Sequence, residues 1–202
     1  MTDTPEVRRA LVTGATGFVG RALVRKLMER GWHVHALTGQ ATSSTALVQV
    51  LGALAVHKYG GEREALDAAL DTARPDVVFH LASRVIVDHR AADIEPLLAA
   101  NISLGTHLAD AMVNARTHRL VVAGSHWQHF HGLAYEPVNL YAATKQALQT
   151  ILRYYTAATP LCFRVLTLFE TYGPNDSRHK LLFLLRHAAL SGEPLAVRRE
   201  NN

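Results

Sequence analysis

One cysteine in 202 residues excludes any internal disulfide. The apolar neighbours of that residue, Cys162, place it in a strand whose side chains are buried, as expected of a thiol in a reducing compartment. Uninterrupted apolar runs are also missing: none reaches the length needed to span a bilayer, and the start Met-Thr-Asp-Thr-Pro-Glu lacks a basic segment followed by an apolar one. No membrane partner and a cytoplasmic location follow as expectations. There is no internal repeat and no low-complexity tract. Charge is sparse, at 19% of residues, and although the net charge is +4 the basic residues are scattered rather than blocked. A dispersed excess of this size mildly favours anionic small molecules and argues against a nucleic-acid partner.

What is present is organised around Arg8–Arg21, an apolar run that ends in Gly14, Gly17 and Gly20 at three-residue spacing. Gly14 suits a tight turn out of a strand, Gly17 admits backbone close to a pyrophosphate, and Gly20 lets the next helix pack close to the sheet. An anion then meets the positive end of that helix. Residues 22–30 are strongly helix-forming and stop at Gly31, and 32–37 read as a second strand, so the loop sits inside a βαβ unit.

The alternation continues. Helices are expected over 43–51, 62–72, 93–114 (interrupted near Pro96), 140–157 and 178–190. Strands are expected over 53–57, 77–81, 119–123, 161–169 and 195–198. Strands and helices in turn predict an α/β fold, a doubly wound and mostly parallel sheet with helices on both faces.

Tyr141 and Lys145 lie four apart in a helical run and therefore share a face. A phenol with an ordinary pKa near 10 needs a neighbouring cation to work as a base at neutral pH, and a lysine one turn along can supply it. With a glycine loop in the same chain, that pair fits proton exchange with an alcohol or ketone while a nicotinamide exchanges hydride.

Five landmarks in order make the chain resemble the extended short-chain dehydrogenases/reductases, a family of Rossmann-like nucleotide-sugar epimerases, dehydratases and reductases. They are Thr13–Gly20, Phe79-His80-Leu81-Ala82-Ser83, Asn101–Thr106, Tyr141-Ala142-Ala143-Thr144-Lys145 and Tyr172-Gly173-Pro174. Residues 139–146 and 171–176 are most similar to CDP-abequose synthase and related reductases of 4-keto-deoxy-sugar nucleotides. The resemblance implies a cofactor site built from Gly14, Ala15, Thr16, Gly17, Phe18, Val19, Gly20, Thr38, Leu81, Ala82, Ser83, Asn101, Tyr141 and Lys145. It also implies a catalytic set of Ser125, Tyr141 and Lys145, with Ser125 polarising the reacting oxygen from the end of the fifth strand.

Dehydratases of the family carry an acidic pair just after that serine, and His126-Trp127 stands here instead, which favours reduction or epimerisation over elimination. No acidic residue occurs in 37–44, while Gln40, nearby hydroxyls and Arg21 suit a 2'-phosphate, so NADP is expected ahead of NAD. The family's adenine-contacting aspartate is missing from Tyr59-Gly60-Gly61-Glu62, and Thr167 and Glu170 depart from its sixth-strand pattern. Arg178 and Lys180 are candidates for a substrate diphosphate, balanced by the reading that they are solvated helix residues.

His126, His129 and His131 invite a metal reading, but no cysteine or carboxylate within the segment completes a ligand set, so no metal is expected. His80, inside an apolar strand, reads as structural. The resemblance further implies a homodimer through the helices at 93–114 and 140–157. Members of the family run on for roughly another hundred residues, which supply most of the sugar-nucleotide pocket. The expectation is therefore a single NAD(P)-binding domain over 1–202, with 175–202 opening a shortened substrate-binding part. Three functions stand: 4-keto reduction of a nucleotide sugar, epimerisation at the same active site, or cofactor binding without catalysis.

Overall fold

Strand β1 (Arg9–Thr13) lies at the centre of a wholly parallel sheet in a computed structural model that describes residues 7–52, 54–174, 176, 178 and 180–195. β2 (His33–Gly39) and β3 (Ala55–Tyr59) extend the sheet on one side. β4 (Val77–His80), β5 (Arg119–Ser125) and β6 (Cys162–Leu168) extend it on the other, giving the order β3-β2-β1-β4-β5-β6. The strand order reverses between β1 and β4. A crevice opens at such a point beyond the strands' carboxyl ends.

Helices α1 (Phe18–Glu29) and α2 (Ser44–Leu51) cover one face, where Ala10, Val12, Val34 and Ala36 are buried against Val24, Leu27 and Leu47. Helices α3 (Arg63–Ala73), α5 (Leu104–Asn114) and α6 (Leu140–Ala158) cover the other, where Leu11, Val78, Leu120 and Val122 meet Leu66, Leu70, Leu108, Met112, Leu148 and Leu152. Alternate residues of β1 thus enter different cores, which is why the strand reads as continuously apolar. The chain divides into two compact units, 1–169 with the whole sheet and 170–202 with α7 (Leu181–Ser191). Among the described residues, no helix is long and apolar enough to cross a membrane.

Three expectations change. Cys162 is exposed, because β6 is the sheet's edge and its residues 162, 164 and 166 face away from the first unit's core. The break expected near Pro96 falls elsewhere: Pro96 sits in the first turn of α4 (Ile94–Leu98), where a missing N–H costs no helical bond. The irregularity is instead a π turn over Ala99–Ser103, centred on Asn101. Arg178 and Lys180 precede α7 rather than joining it. The last expected strand, 195–198, falls mostly outside the described residues.

Candidate active site

Each glycine of the first loop has its own steric reason. Gly14 turns the chain out of β1 at φ 71°, and a Cβ there would stand 2.6 Å from the Ala82 nitrogen. Gly17 donates its N–H to the Gly14 carbonyl at 3.0 Å and caps α1 without a side chain. A Cβ on Gly20 would lie 2.0 Å from the Gly14 oxygen, so α1 approaches the loop as closely as backbone permits. The positive end of α1 is thereby held at the mouth of the crevice.

The floor is set from two strands. Thr13 at the end of β1 accepts the Ala82 N–H at 3.1 Å through its hydroxyl oxygen, and it shares a 2.9 Å hydrogen bond with His80 Nδ1 at the end of β4. The cavity above is about 310 Å³. Gly14, Thr16, Gly17, Thr38, Leu81, Ala82 and Ser83 line it, seven of the residues expected from the sequence. A glycine cradle closed by backbone and placed at a helix N-terminus fits the pyrophosphate of a nicotinamide dinucleotide.

The other expected cofactor residues stand behind that surface. Ala15 is buried, and Phe18, Val19 and Gly20 form the first turn of α1. Asn101 braces the site: its Oδ1 accepts from Ser83 Oγ at 3.0 Å and from the Arg84 N–H at 2.8 Å. Its Nδ2 donates to Thr144 Oγ1 of α6 at 3.0 Å. Leu37, Gly39, Thr42, Tyr59 and Leu104, which fall in stretches read from the sequence but were not assigned to the cofactor one by one, also line the cavity. The topology would have found Thr42 and Tyr59, since residues just past the ends of parallel strands share one edge of the sheet.

The end of β2 carries charges that the local sequence hides. Lys58 of β3 donates to the Thr42 carbonyl. Glu62, three residues past Tyr59, accepts the Gly60 N–H at 3.0 Å. Its carboxylate and the Gln40 amide both come within 3.0 Å of the point a Gly60 Cβ would occupy.

Asn139 caps α6 by accepting the Ala142 N–H at 2.9 Å, which sets Tyr141 in the first turn and Lys145 one turn deeper. Tyr141, Lys145 and Ser125 are all buried. The Lys145 ammonium lies 5.9 Å from the centre of the Tyr141 ring. Burial lowers Lys145 to about 8. Burial also raises Tyr141, outweighing hydrogen bonds to Ser83 and Ser125 that pull the other way. Removal from water thus adds to the phenol's ordinary preference for its proton at neutral pH, and a cation one turn along acts against that preference.

His80 is fully buried, and burial, with the Lys145 charge second, lowers it to about 3. An unfolded chain takes up that proton near pH 6.5, whereas the folded one withholds it until about 3. The resulting stability is complete above pH 6.5 and is lost as pH falls towards 3, at about 1.4 kcal/mol per unit. Urea midpoints at pH 7 and pH 5 test this, with His80→Gln expected to lose about 2 kcal/mol less on acidification than the parent. His35 and His57, also lowered by burial, act in both proteins and drop out of the difference. Equal losses would mean that His80 accepts its proton in the folded chain.

The three clustered histidines go to different partners. His126 stacks on Phe169, with ring centres 4.8 Å apart. His129 Nδ1 donates to the Ala134 carbonyl at 3.0 Å, and His131 lies 3.5 Å from Glu136. Among the described residues, no group of three or more His, Cys, Asp or Glu is placed to hold a metal. In the second unit, Arg178 grips Asp176 at 2.7 Å and the Thr171 carbonyl at 2.9 Å, and Lys180 lies 3.6 Å from Glu170.

Comparison with known proteins agrees with this geometry. A probable UDP-glucuronate 4-epimerase of Rhizobium meliloti is 24% identical over 209 residues, covering 94% of this chain and 61% of the relative. A 4-hydroxy-2-methyl-3-oxo-4-farnesyl-3,4-dihydroquinoline-1-oxide ketoreductase of Stigmatella aurantiaca is 33% identical over 156 residues, 72% of this chain and 45% of the relative. The crystal structure of Thermus thermophilus UDP-glucose 4-epimerase in complex with NAD superimposes with a TM-score of 0.78 at 25% identity, over 93% of this chain and 64% of that one. The chain therefore spans less than two thirds of the length of these proteins. Residues 10–201 match the sequence model of the NAD dependent epimerase/dehydratase family, and with the glycine cradle at the β1–β4 crevice this chain belongs to that family.

Proposed function

We propose that this chain takes part in reducing a keto group of a nucleotide-linked sugar, at the 4-position, with Tyr141 as the proton donor. The observation that carries this reading is the buried Tyr141 phenol, kept protonated beside Ser125 at the end of β5. A bound reduced nicotinamide supplies hydride to the ketone carbon. Ser125 donates a hydrogen bond to the carbonyl oxygen, and Tyr141 gives that oxygen its proton as it becomes an alcohol. Lys145 stays charged below about pH 8, where it would hydrogen-bond the cofactor ribose and stabilise the phenolate left when Tyr141 gives up its proton. The similarity to a ketoreductase supports the reaction type, and that to a UDP-glucuronate 4-epimerase supports the substrate class.

NADP is the cofactor we propose. Thr38 stands at the end of β2 where a carboxylate would select NAD, and Lys58 brings an ammonium to the Thr42 carbonyl in the following loop. The Glu62 carboxylate is the opposing charge, and it is engaged by the Gly60 amide. Residues 175–202 begin the substrate-binding part in this reading, and the assembly is a homodimer through the helical segments 93–114 and 140–157; a monomer mass by light scattering would remove the dimer.

Epimerisation is the second reading, because the similarity to UDP-glucuronate 4-epimerase supports it equally. The test has two stages. NADPH and NADH are titrated separately against the purified chain by cofactor fluorescence, with tighter binding of NADPH expected. The complex is then offered UDP-glucose, UDP-glucuronate and a 4-keto nucleotide sugar. Net cofactor oxidation with the keto sugar is the expected result. Interconversion of epimers without net oxidation would replace reduction by epimerisation, and tight binding without turnover would leave a cofactor-binding protein.

A further inference from the structure

Gln128 lies one short helical turn beyond Ser125 and is completely buried, yet nothing in the proposed chemistry uses it. Its Oε1 accepts the Ser125 N–H at 2.8 Å and the Gln149 Nε2 at 3.3 Å. Its Nε2 donates to Gln146 Oε1 at 2.8 Å. The amide cannot be turned over, because the Ser125 N–H requires an acceptor opposite it.

Both partners on α6 belong to the machinery's own helix. Gln146 follows Lys145, and Gln149 continues the face of Tyr141 and Lys145 at four-residue spacing. One buried carboxamide thus ties the backbone of Ser125 to the helix that carries Tyr141. β5 makes room for it: a Cβ on Gly124 would stand 3.2 Å from Gln128 Oε1, 3.3 Å from Gln149 Nε2 and 2.7 Å from a Val165 methyl. The Ser125 side chain is meanwhile held from within the turn, accepting the Trp127 N–H at 3.3 Å.

We propose that Gln128 is a positioning residue, a clamp between β5 and α6 that fixes the Ser125 hydroxyl against the Tyr141 hydroxyl. It rests on the reading that those two groups act together on one substrate oxygen. A residue that merely capped its own turn would contribute stability without affecting Tyr141. A clamp sets the hydrogen bond from Ser125, which eases the ionisation of Tyr141 by lowering its midpoint.

The test reads that ionisation directly and needs no substrate. Phenolate absorbance is followed against pH, and the Tyr141 signal is obtained by subtracting a Tyr141→Phe protein carrying the same second substitution. Ser125→Ala and Gln128→Leu are each expected to raise the Tyr141 midpoint by roughly 0.7 of a pH unit, the size of one lost hydrogen bond. Should Gln128→Leu fail to fold, Gln146→Leu at the half-buried end of the clamp is expected to give a smaller shift of the same sign. If Ser125→Ala moves the midpoint and Gln128→Leu or its substitute does not, the clamp is overturned. If Ser125→Ala itself leaves the midpoint unmoved, the coupling of Ser125 to Tyr141 fails first, and the proposed function with it.

Discussion

Replacing Gly20 with alanine is expected to weaken dinucleotide binding by roughly a hundredfold and to destabilise the fold by about 2 kcal/mol. The added Cβ would lie 2.0 Å from the Gly14 oxygen, 2.8 Å from the Gly14 carbonyl carbon and 2.9 Å from the Ala15 Cα. All three are backbone atoms, so no side chain can swing aside. Either α1 retreats from the loop or the loop gives way around Gly14, where Ala82 leaves no slack. Both movements displace the positive helix end from the crevice. The helix-propensity gain of about 1 kcal/mol for alanine over glycine offsets only part of an overpacking cost of about 3 kcal/mol.

Gly31→Ala supplies the control, because Gly31 ends α1 at φ 76° with nothing within 4 Å of its would-be Cβ. That substitution is expected to lose about 1 kcal/mol through backbone strain alone, with cofactor affinity unchanged. Urea midpoints and cofactor fluorescence titrations of the two variants separate the effects. Tight binding by Gly20→Ala would show that the cradle does not hold the pyrophosphate.

The glycine cradle was legible because its cause is local: three residues without side chains at fixed spacing, followed by a helix-forming run. The sheet was legible for the same kind of reason, since apolar strands and helices alternate from Arg9 to Leu168. Features that depend on what comes from elsewhere in the chain were not. Cys162 has strand-like apolar neighbours whether its strand is central or at the edge, and only the topology makes it exposed. Asn101 disturbs a helix through bonds to Ser83, Arg84 and Thr144, three partners from two other segments. Glu62 reaches the end of β2 from the entry to α3, so a search of residues 37–44 finds no acid although the fold supplies one. The pairing of Tyr141 with Lys145 was read from a four-residue spacing, but spacing says nothing about solvent, and burial pushes the phenol up against the pull of its hydrogen bonds.

The burial of that phenol shapes the second large effect. Under the proposed function, Tyr141→Phe is expected to lower kcat by about 10²- to 10⁴-fold, the range for loss of one positioned proton donor. Cofactor affinity should stay within about twofold, because phenylalanine keeps the ring that packs edge-on to Trp127 at 6.2 Å. Unchanged turnover would reject Tyr141 as the donor. The pH profile carries a further discrimination. Reduction consumes a protonated phenol, and burial holds Tyr141 protonated beyond the ordinary tyrosine range, so tyrosine ionisation cannot produce a falling limb near pH 8. Lys145 can, since its charge is lost as pH rises through about 8. A decline in kcat/KM above pH 8 that moves upward in Lys145→Arg, a cation that does not deprotonate, assigns the limb to the lysine. A limb unmoved by that substitution would return the titration to Tyr141, and would mean that the bound cofactor overrides the burial that governs the free chain.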